Sequence, residues 1–178
     1  MKKLITTPID DDTICSLRAG DEVLLTGKIY TARDAAHKRM FENGDEPFPF
    51  ARAAVYYAGP SPAPPGRPTG SIGPTTSGRM DKYAPALMAR GLKVMIGKGQ
   101  RSPEVMAAIK RYSGLYLAAV GGAAALLSRS VLSSEVIAYP ELGAESVREL
   151  FVENFPLITA ADCHGGCIYA LSGEPCEV

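Results

Sequence analysis

Several clusters in this chain have residue types and spacings that could do chemistry. Gly73-Pro74-Thr75-Thr76-Ser77-Gly78-Arg79 sets three consecutive hydroxyls between a Gly-Pro and a Gly-Arg, just ahead of a helix expected to begin near Met80. Helix N-termini present free N–H groups and partial positive charge, which favour a carboxylate or a phosphate. Arg79 adds a planar fork able to grip a carboxylate through two hydrogen bonds. The plainer role for the same residues is Thr76 or Ser77 capping the helix, with Arg79 a solvated charge. In TARDAAHKRM, Arg33 shares a helix face with His37 and Met40, and Asp34 and Lys38 make an ordinary i, i+4 pair. Arg33 therefore carries the same two readings as Arg79, and His37 alone reads as a structural or exposed histidine. Lys98 stands between Gly97 and Gly99 directly after the apolar run Leu92–Ile96. Strand ends in α/β sheets are where ligands bind, and the alternative is a turn lysine pointing at water.

Nucleotide-phosphate loops are excluded. Five residues separate Gly91 from Gly97-Lys98, and Gly99 follows where a phosphate loop needs Ser or Thr. The dinucleotide fingerprint lacks its third glycine. Cys163-His164-Gly165-Gly166-Cys167, with Cys176 nearby, offers metal-ligand types. Its three-residue spacing falls on a glycine turn between two expected strands, so no metal site is assigned.

The elements that must position these residues alternate. Strands are expected at Lys2–Thr6, Glu22–Tyr30 (with Gly27 marking a bulge), Ala53–Ala58, Leu92–Ile96, Leu115–Val120 and Val131–Ala138. Asp10–Thr13 caps a short helix or turn through Ile14–Leu17, and Thr31 caps a helix over Ala32–Met40. Further helices are expected over Met80–Arg90, from Ser102-Pro103-Glu104 to Tyr112, over Ala123–Leu127, and over Ser146–Glu153 by its apolar spacing. Leu157–Ala161 and Cys167–Leu171 read as strands around a turn at Asp162–Gly166. Between Gly59 and Arg79 lie six prolines and five glycines, a loop too long to be an idle connection. The pattern implies an α/β fold, a mixed sheet with antiparallel pairs at both ends.

Composition bounds the rest. With 178 residues, 46% hydrophobic and formal net charge zero, one domain over 1–178 is expected, with a core that needs no staples. Balanced charge argues against a nucleic-acid partner. The start MKKLITTPIDDD lacks the apolar stretch of a signal peptide, and the weakly polar Leu115–Leu127 is shorter than a membrane span. Cytoplasmic location and reduced thiols are the expectation, since disulfide frameworks belong mostly to short secreted chains.

Taken in order, TARDAAHKRM, the strand before YYAGP, GPTTSGRMDKY, the strand ending MIGKG and VGGAAALL resemble the β subunit, or C-terminal domain, of class I iron–sulfur fumarases and L-tartrate dehydratases. The resemblance covers about residues 5–160, and GPTTSGRMD is its most specific part. It implies a swivelling β/β/α domain that closes over a [4Fe-4S] cluster held by three cysteines of a partner α subunit. The open iron of that cluster acts as a Lewis acid while water is added to or removed from a dicarboxylate. By motif, Arg33, Arg79 and Lys98 correspond to residues that bind substrate carboxylates, and Thr75 to the residue taking a proton at carbon. An unaided alcohol is a poor base, so the position of Thr75 is better supported than its role. CHGGC departs from the usual family turn, which is acidic and carries Asn or Lys. The resemblance implies a fumarate hydratase β subunit within a higher-order assembly of α and β. An L-tartrate dehydratase β subunit is the near alternative, and a non-catalytic small-anion-binding module the alternative of another class.

Overall fold

The computed structural model describes residues 2–119 and 123–169. In chain order its elements are β1 (Lys3–Thr6), α1 (Asp11–Ser16), β2 (Glu22–Thr31), α2 (Asp34–Glu42), β3 (Ala54–Tyr56), α3 (Ala84–Ala89), β4 (Val94–Gly97), α4 (Pro103–Arg111), β5 (Leu115–Ala118), α5 (Ala124–Leu127), β6 (Val131–Ala138) and β7 (Val147–Ala161). Short 3₁₀ turns occupy Ser77–Met80, Ser128–Ser130 and Pro140–Glu145.

Strands β1 to β5 run parallel in sequence order, and β7 lies antiparallel to β5. Because β7 also pairs antiparallel with β2 over Glu22–Thr31, the strands β2-β3-β4-β5-β7 close on themselves as a five-stranded barrel. β1 extends the sheet beside β2, and β6 beside β7. Closure pairs strand edges that would otherwise stand open.

Strand alternation builds two cores. Ala54 and Tyr56, Val94 and Ile96, and Leu115 and Leu117 point into the barrel with Leu25, Ile29, Leu150 and Phe155. Val55, Met95 and Tyr116, the intervening residues, point outward beneath α2, α3 and α4. Burial on both faces is why these parallel strands read as continuous apolar runs. In the barrel, the Tyr56 and Phe155 rings meet edge to face at 5.4 Å, the arrangement aromatic quadrupoles prefer. The fold is α/β in character, a mixed sheet with flanking helices. Among the described residues no helix is long and apolar enough to cross a membrane.

Local chemistry accounts for several boundaries. Asp10 caps α1 by accepting from Thr13 N at 2.7 Å, and Ser102 caps α4 by accepting from Val105 N, with Pro103 in the first turn. The register of β2 against β7 shifts at Gly27, the expected bulge.

Other expectations are corrected. β1 and β2 are parallel, with α1 as their crossover, so the antiparallel pairs are those β7 makes with β2, β5 and β6. Ser146–Glu153 is not a helix but the first half of β7, paired on one side with β2 and on the other with β6. Met80–Arg90 divides into the 3₁₀ turn ending at Met80 and α3, which has Pro85 in its first turn. Thr31 belongs to β2, where its Oγ1 accepts from Arg148 N, and Arg33 stands at the N-cap of α2. The turn at Asp162–Gly166 forms, but the strand expected after it reduces to a bridge between Ala161 and Cys167. Val120, the Gly121-Gly122 pair, residues 170–171 and Cys176 lie outside the described residues.

Candidate functional site

The carboxyl ends of β2, β3 and β4 bring the singled-out residues to one rim of the sheet, where ligands of open α/β sheets bind. β2 leads into α2 through Arg33 and Asp34, and this junction is tied to β3 by Ala32 N donating to Tyr56 O at 3.1 Å. From beyond the proline-rich loop, Thr75 N donates to Tyr57 O at 2.6 Å. Thr76 then bridges Lys98 in parallel register at the end of β4, and Ser77 N donates to Lys98 O at 2.8 Å. Thr75 and Lys98 are thus held in neighbouring segments, Thr75 half-buried and Lys98 exposed.

Arg79 crosses to the other side of the rim. Its Nε donates to Asp34 Oδ1 at 2.9 Å, and its Nη2 lies 2.9 Å from Asp34 Oδ2. Asp34 therefore serves Arg79, not Lys38, which pairs instead with Glu42 at 3.9 Å. Arg33 is held more loosely, its Nε 3.7 Å from Glu145 Oε1. Both of these atoms are buried without a hydrogen-bond partner among the described residues. The Arg33 side chain lies against Gly59, where an added Cβ would come within 3.0 Å of the arginine Cδ and 2.6 Å of Ala144 O. A side chain at position 59 would clash with the Ala144 backbone and crowd the Arg33 side chain.

The helix-terminus reading fails here. No helix begins at Met80, and Thr76 makes no capping bond from its side chain. Ser77 is buried, and its Oγ would overlap any Cβ added at Gly97, at 2.0 Å. What holds the hydroxyl loop is a polar network beneath it. The Tyr116 hydroxyl donates to Gly99 O at 2.7 Å and lies 2.9 Å from Ser77 Oγ; with one proton on each hydroxyl, Ser77 donates back. Arg101, its side chain fully buried, donates from Nε to Asp81 Oδ1 at 2.7 Å and lies between the Tyr57 and Tyr116 rings. Asp81 Oδ2 also accepts from Ser102 N at 2.6 Å.

Glu145, Tyr57, Arg101 and Tyr116 were not visible as site residues from spacing; Ser77 and Asp81 lay within GPTTSGRMD, and Asp34 read only as a partner of Lys38.

His37 is fully buried, edge-on to the Tyr57 ring at 5.1 Å, and its Nδ1–H donates to Arg33 O at 2.9 Å. Burial, opposed in part by that bond, lowers its pKa from 6.5 to about 4. A histidine depressed on folding binds its proton more readily in the unfolded chain. Stability is therefore unaffected above about pH 6.5 and falls as pH drops through the window from 6.5 to 4. The expected loss from this group is about 3 kcal/mol by pH 4. Urea titrations of wild type and His37→Gln should show it, the variant having the shallower slope across the window; equal slopes would refute the assignment.

The rim gathers three positive groups, Arg33, Arg79 and Lys98, against two carboxylates, Asp34 and Glu145. It is open, with the Arg79 side chain 52% exposed. Such an arrangement can bind a small dianion through two planar forks and place a hydroxyl beside it. For a metal the donor set is insufficient. No three His, Cys, Asp or Glu side chains converge to hold an ion among the described residues. The described residues therefore do not fit an iron–sulfur cluster.

Comparison with known proteins bears on the whole chain. Residues 3–171 match the family model described as the fumarase C-terminus. The putative L(+)-tartrate dehydratase subunit beta of Methanocaldococcus jannaschii is 42% identical over 163 residues, covering 86% of this chain and 84% of that protein. The L(+)-tartrate dehydratase subunit beta of Escherichia coli is 34% identical, covering 96% and 88%. The anaerobic class I fumarate hydratase of Escherichia coli is 43% identical over 147 residues, which make up 79% of this chain. The chain spans only 27% of the length of that fumarate hydratase. Similarity that runs through every strand of the barrel, and nearly end to end in two beta subunits, makes this chain a member of the fumarase C-terminus family.

Proposed function

We propose that this chain is the β subunit of an iron–sulfur hydro-lyase, a swivelling lid that closes over a small dicarboxylate held against a cluster-bearing α subunit. The observation that supports this reading is the rim itself: Arg33, Thr75, Arg79 and Lys98 lie at or just beyond the carboxyl ends of β2, β3 and β4, with Arg79 and Lys98 exposed. The [4Fe-4S] cluster is assigned to the partner, and the open face of the rim to the contact with it. Cytoplasmic location belongs to the same proposal.

In this reading Arg33 and Arg79 each take one substrate carboxylate, displacing part of their contact with Glu145 and Asp34. Lys98 offsets the negative charge that grows when a proton leaves the carbon next to a carboxylate. Thr75 holds or takes that proton. Its alcohol needs an activating neighbour, and Lys98, in register with the adjacent Thr76, supplies the nearby charge. The polar network under the loop holds the segment that carries Thr75. Fumarate and malate are the favoured pair. L-tartrate is the second reading, supported by the similarity of two tartrate dehydratase subunits beta over 86% and 96% of this chain.

The test is reconstitution under anaerobic reducing conditions, assaying fumarate, malate, mesaconate and tartrate. Mixing the chain with a cluster-loaded α subunit should create activity that neither has alone and that oxygen abolishes. Thr75→Val, which keeps shape and removes the hydroxyl, should lose kcat by at least ~10²-fold, and Thr75→Ser should retain part of it. Wild-type activity in Thr75→Val would reduce Thr75 to a turn residue. Turnover by the chain alone would sink the two-component reading, and tight dicarboxylate binding with no activity in the mixture would favour a binding module.

A further inference from the structure

We propose that Cys15 and Cys163 are a paired oxidation site, which a hydroperoxide converts into an intramolecular disulfide. Cys15 sits in the last turn of α1, and Cys163 in the turn that follows β7, 148 positions away. The fold places their sulfurs 3.7 Å apart, with both residues half-buried and reduced. Two further contacts hold the same segments together. His164 Nε2–H donates to Cys15 O at 2.9 Å, and Ala19 N donates to Asp162 Oδ2 at 2.7 Å. A disulfide needs a sulfur separation of about 2.05 Å. The gap is closed by side-chain torsions at two element ends, where the backbone can give.

The hydrogen-bond geometry sets the order of events. The Cys163 thiol donates to Cys15 Sγ, and burial together with that bond holds the Cys163 proton on. Attack is accordingly assigned to Cys15, whose sulfur accepts the Cys163 S–H. Its thiolate breaks the O–O bond of the hydroperoxide, gaining one oxygen as a sulfenic acid. The departing oxygen leaves as an alkoxide, or as hydroxide from hydrogen peroxide, and takes up the proton that Cys15 released. The Cys163 sulfur then displaces the sulfenic hydroxyl, which leaves as water with the Cys163 proton. The two thiols lose two electrons in all, and the peroxide gains them. Half-exposure admits the oxidant, and the ready second thiol traps the sulfenic acid before further oxidation. Cys167, buried in the outer core, is not part of the pair.

The crosslink would tie α1 to the end of β7 and close a loop across most of the chain, the circumstance in which a disulfide restricts the unfolded state most. The full-length chain should be treated with hydrogen peroxide, quenched with an alkylating agent, and read by intact mass, peptide mapping and thermal melting. The expected results are the loss of two hydrogens, a linked peptide joining Cys15 and Cys163, and a Tm raised by about 5–10 °C. Dithiothreitol should reverse all three. Cys15→Ser and Cys163→Ser should each abolish the linked peptide, and Cys176→Ser should keep it. Peroxide that leaves Cys15 and Cys163 both open to alkylation would overturn the proposal. So would oxidation ending in separate sulfinic acids, or a linked peptide that joins Cys163 to Cys167 or Cys176. None of these readouts depends on enzyme activity, so they stand or fall apart from the hydro-lyase reading.

Discussion

Replacing Arg33 or Arg79 with Met should lower kcat/KM of the proposed two-component hydro-lyase by at least ~10²-fold, because each substitution removes the charge-assisted substrate contact proposed for it, worth ~1.5–3 kcal/mol, and catalysis adds to the loss. The structure separates this effect from stability. Arg79 pairs with Asp34 at the surface, its side chain 52% exposed, and exposed pairs contribute ~0–1 kcal/mol. The Tm of Arg79→Met should therefore move by no more than about 4 °C. Arg33 is less exposed, at 25%, and its closest acidic partner is 3.7 Å away, so its loss should also leave the fold intact. Steady-state kinetics beside a melting curve make the check. Normal kinetics in either variant would remove that arginine from the substrate site, and a collapsed melting transition would mean that its role is structural.

Arg101→Met should destabilise the chain by about 3–5 kcal/mol, the cost of stranding one member of a buried ion pair. Asp81 would keep its bond from Ser102 N but lose its counter-charge, and the Tyr57 and Tyr116 rings would lose the cation between them. Urea denaturation measures the loss. Arg101→Met combined with Asp81→Ala should be less destabilised than the sum of the two single changes, because the second removes the charge that the first leaves unpaired. Full additivity would mean that the pair does not act as a unit. The network also carries Ser77 through Tyr116, so Arg101→Met should loosen the loop that bears Thr75.

Much of the fold and the rim was legible along the chain. Val94–Gly97 and Leu115–Ala118 form where short apolar runs predict buried strands, and Ser102-Pro103-Glu104 opens α4 as its cap chemistry requires. In each case the signal lies within a few residues, even though the hydrogen bonds of β4 and β5 run to other strands. The segment at 146–153 misleads for a related reason. Val147, Leu150 and Phe151 fall at helical spacing, yet β7 is extended because β2 and β6 pair with its two edges. A positive φ at Asn154 interrupts its strand alternation between Val152 and Phe155, so period two was never visible over a full window.

The residue types that could bind a dianion, Arg33, Arg79 and Lys98 with Thr75 among them, were determined by sequence alone. Their partners were not. Asp34 looked like the mate of Lys38 four residues on, but a bond from Arg79, 45 positions away, claims it. Arg101, which no local pattern marks, is buried against Asp81, Tyr57 just past β3 and Tyr116 in β5. Cys15 and Cys163 meet across 148 positions. Capping, turns and alternation act through neighbouring backbone and so can be read from short windows. Ion pairs, buried networks and thiol contacts form between segments that only closure of the barrel brings together, and no local pattern encodes which distant residue will arrive.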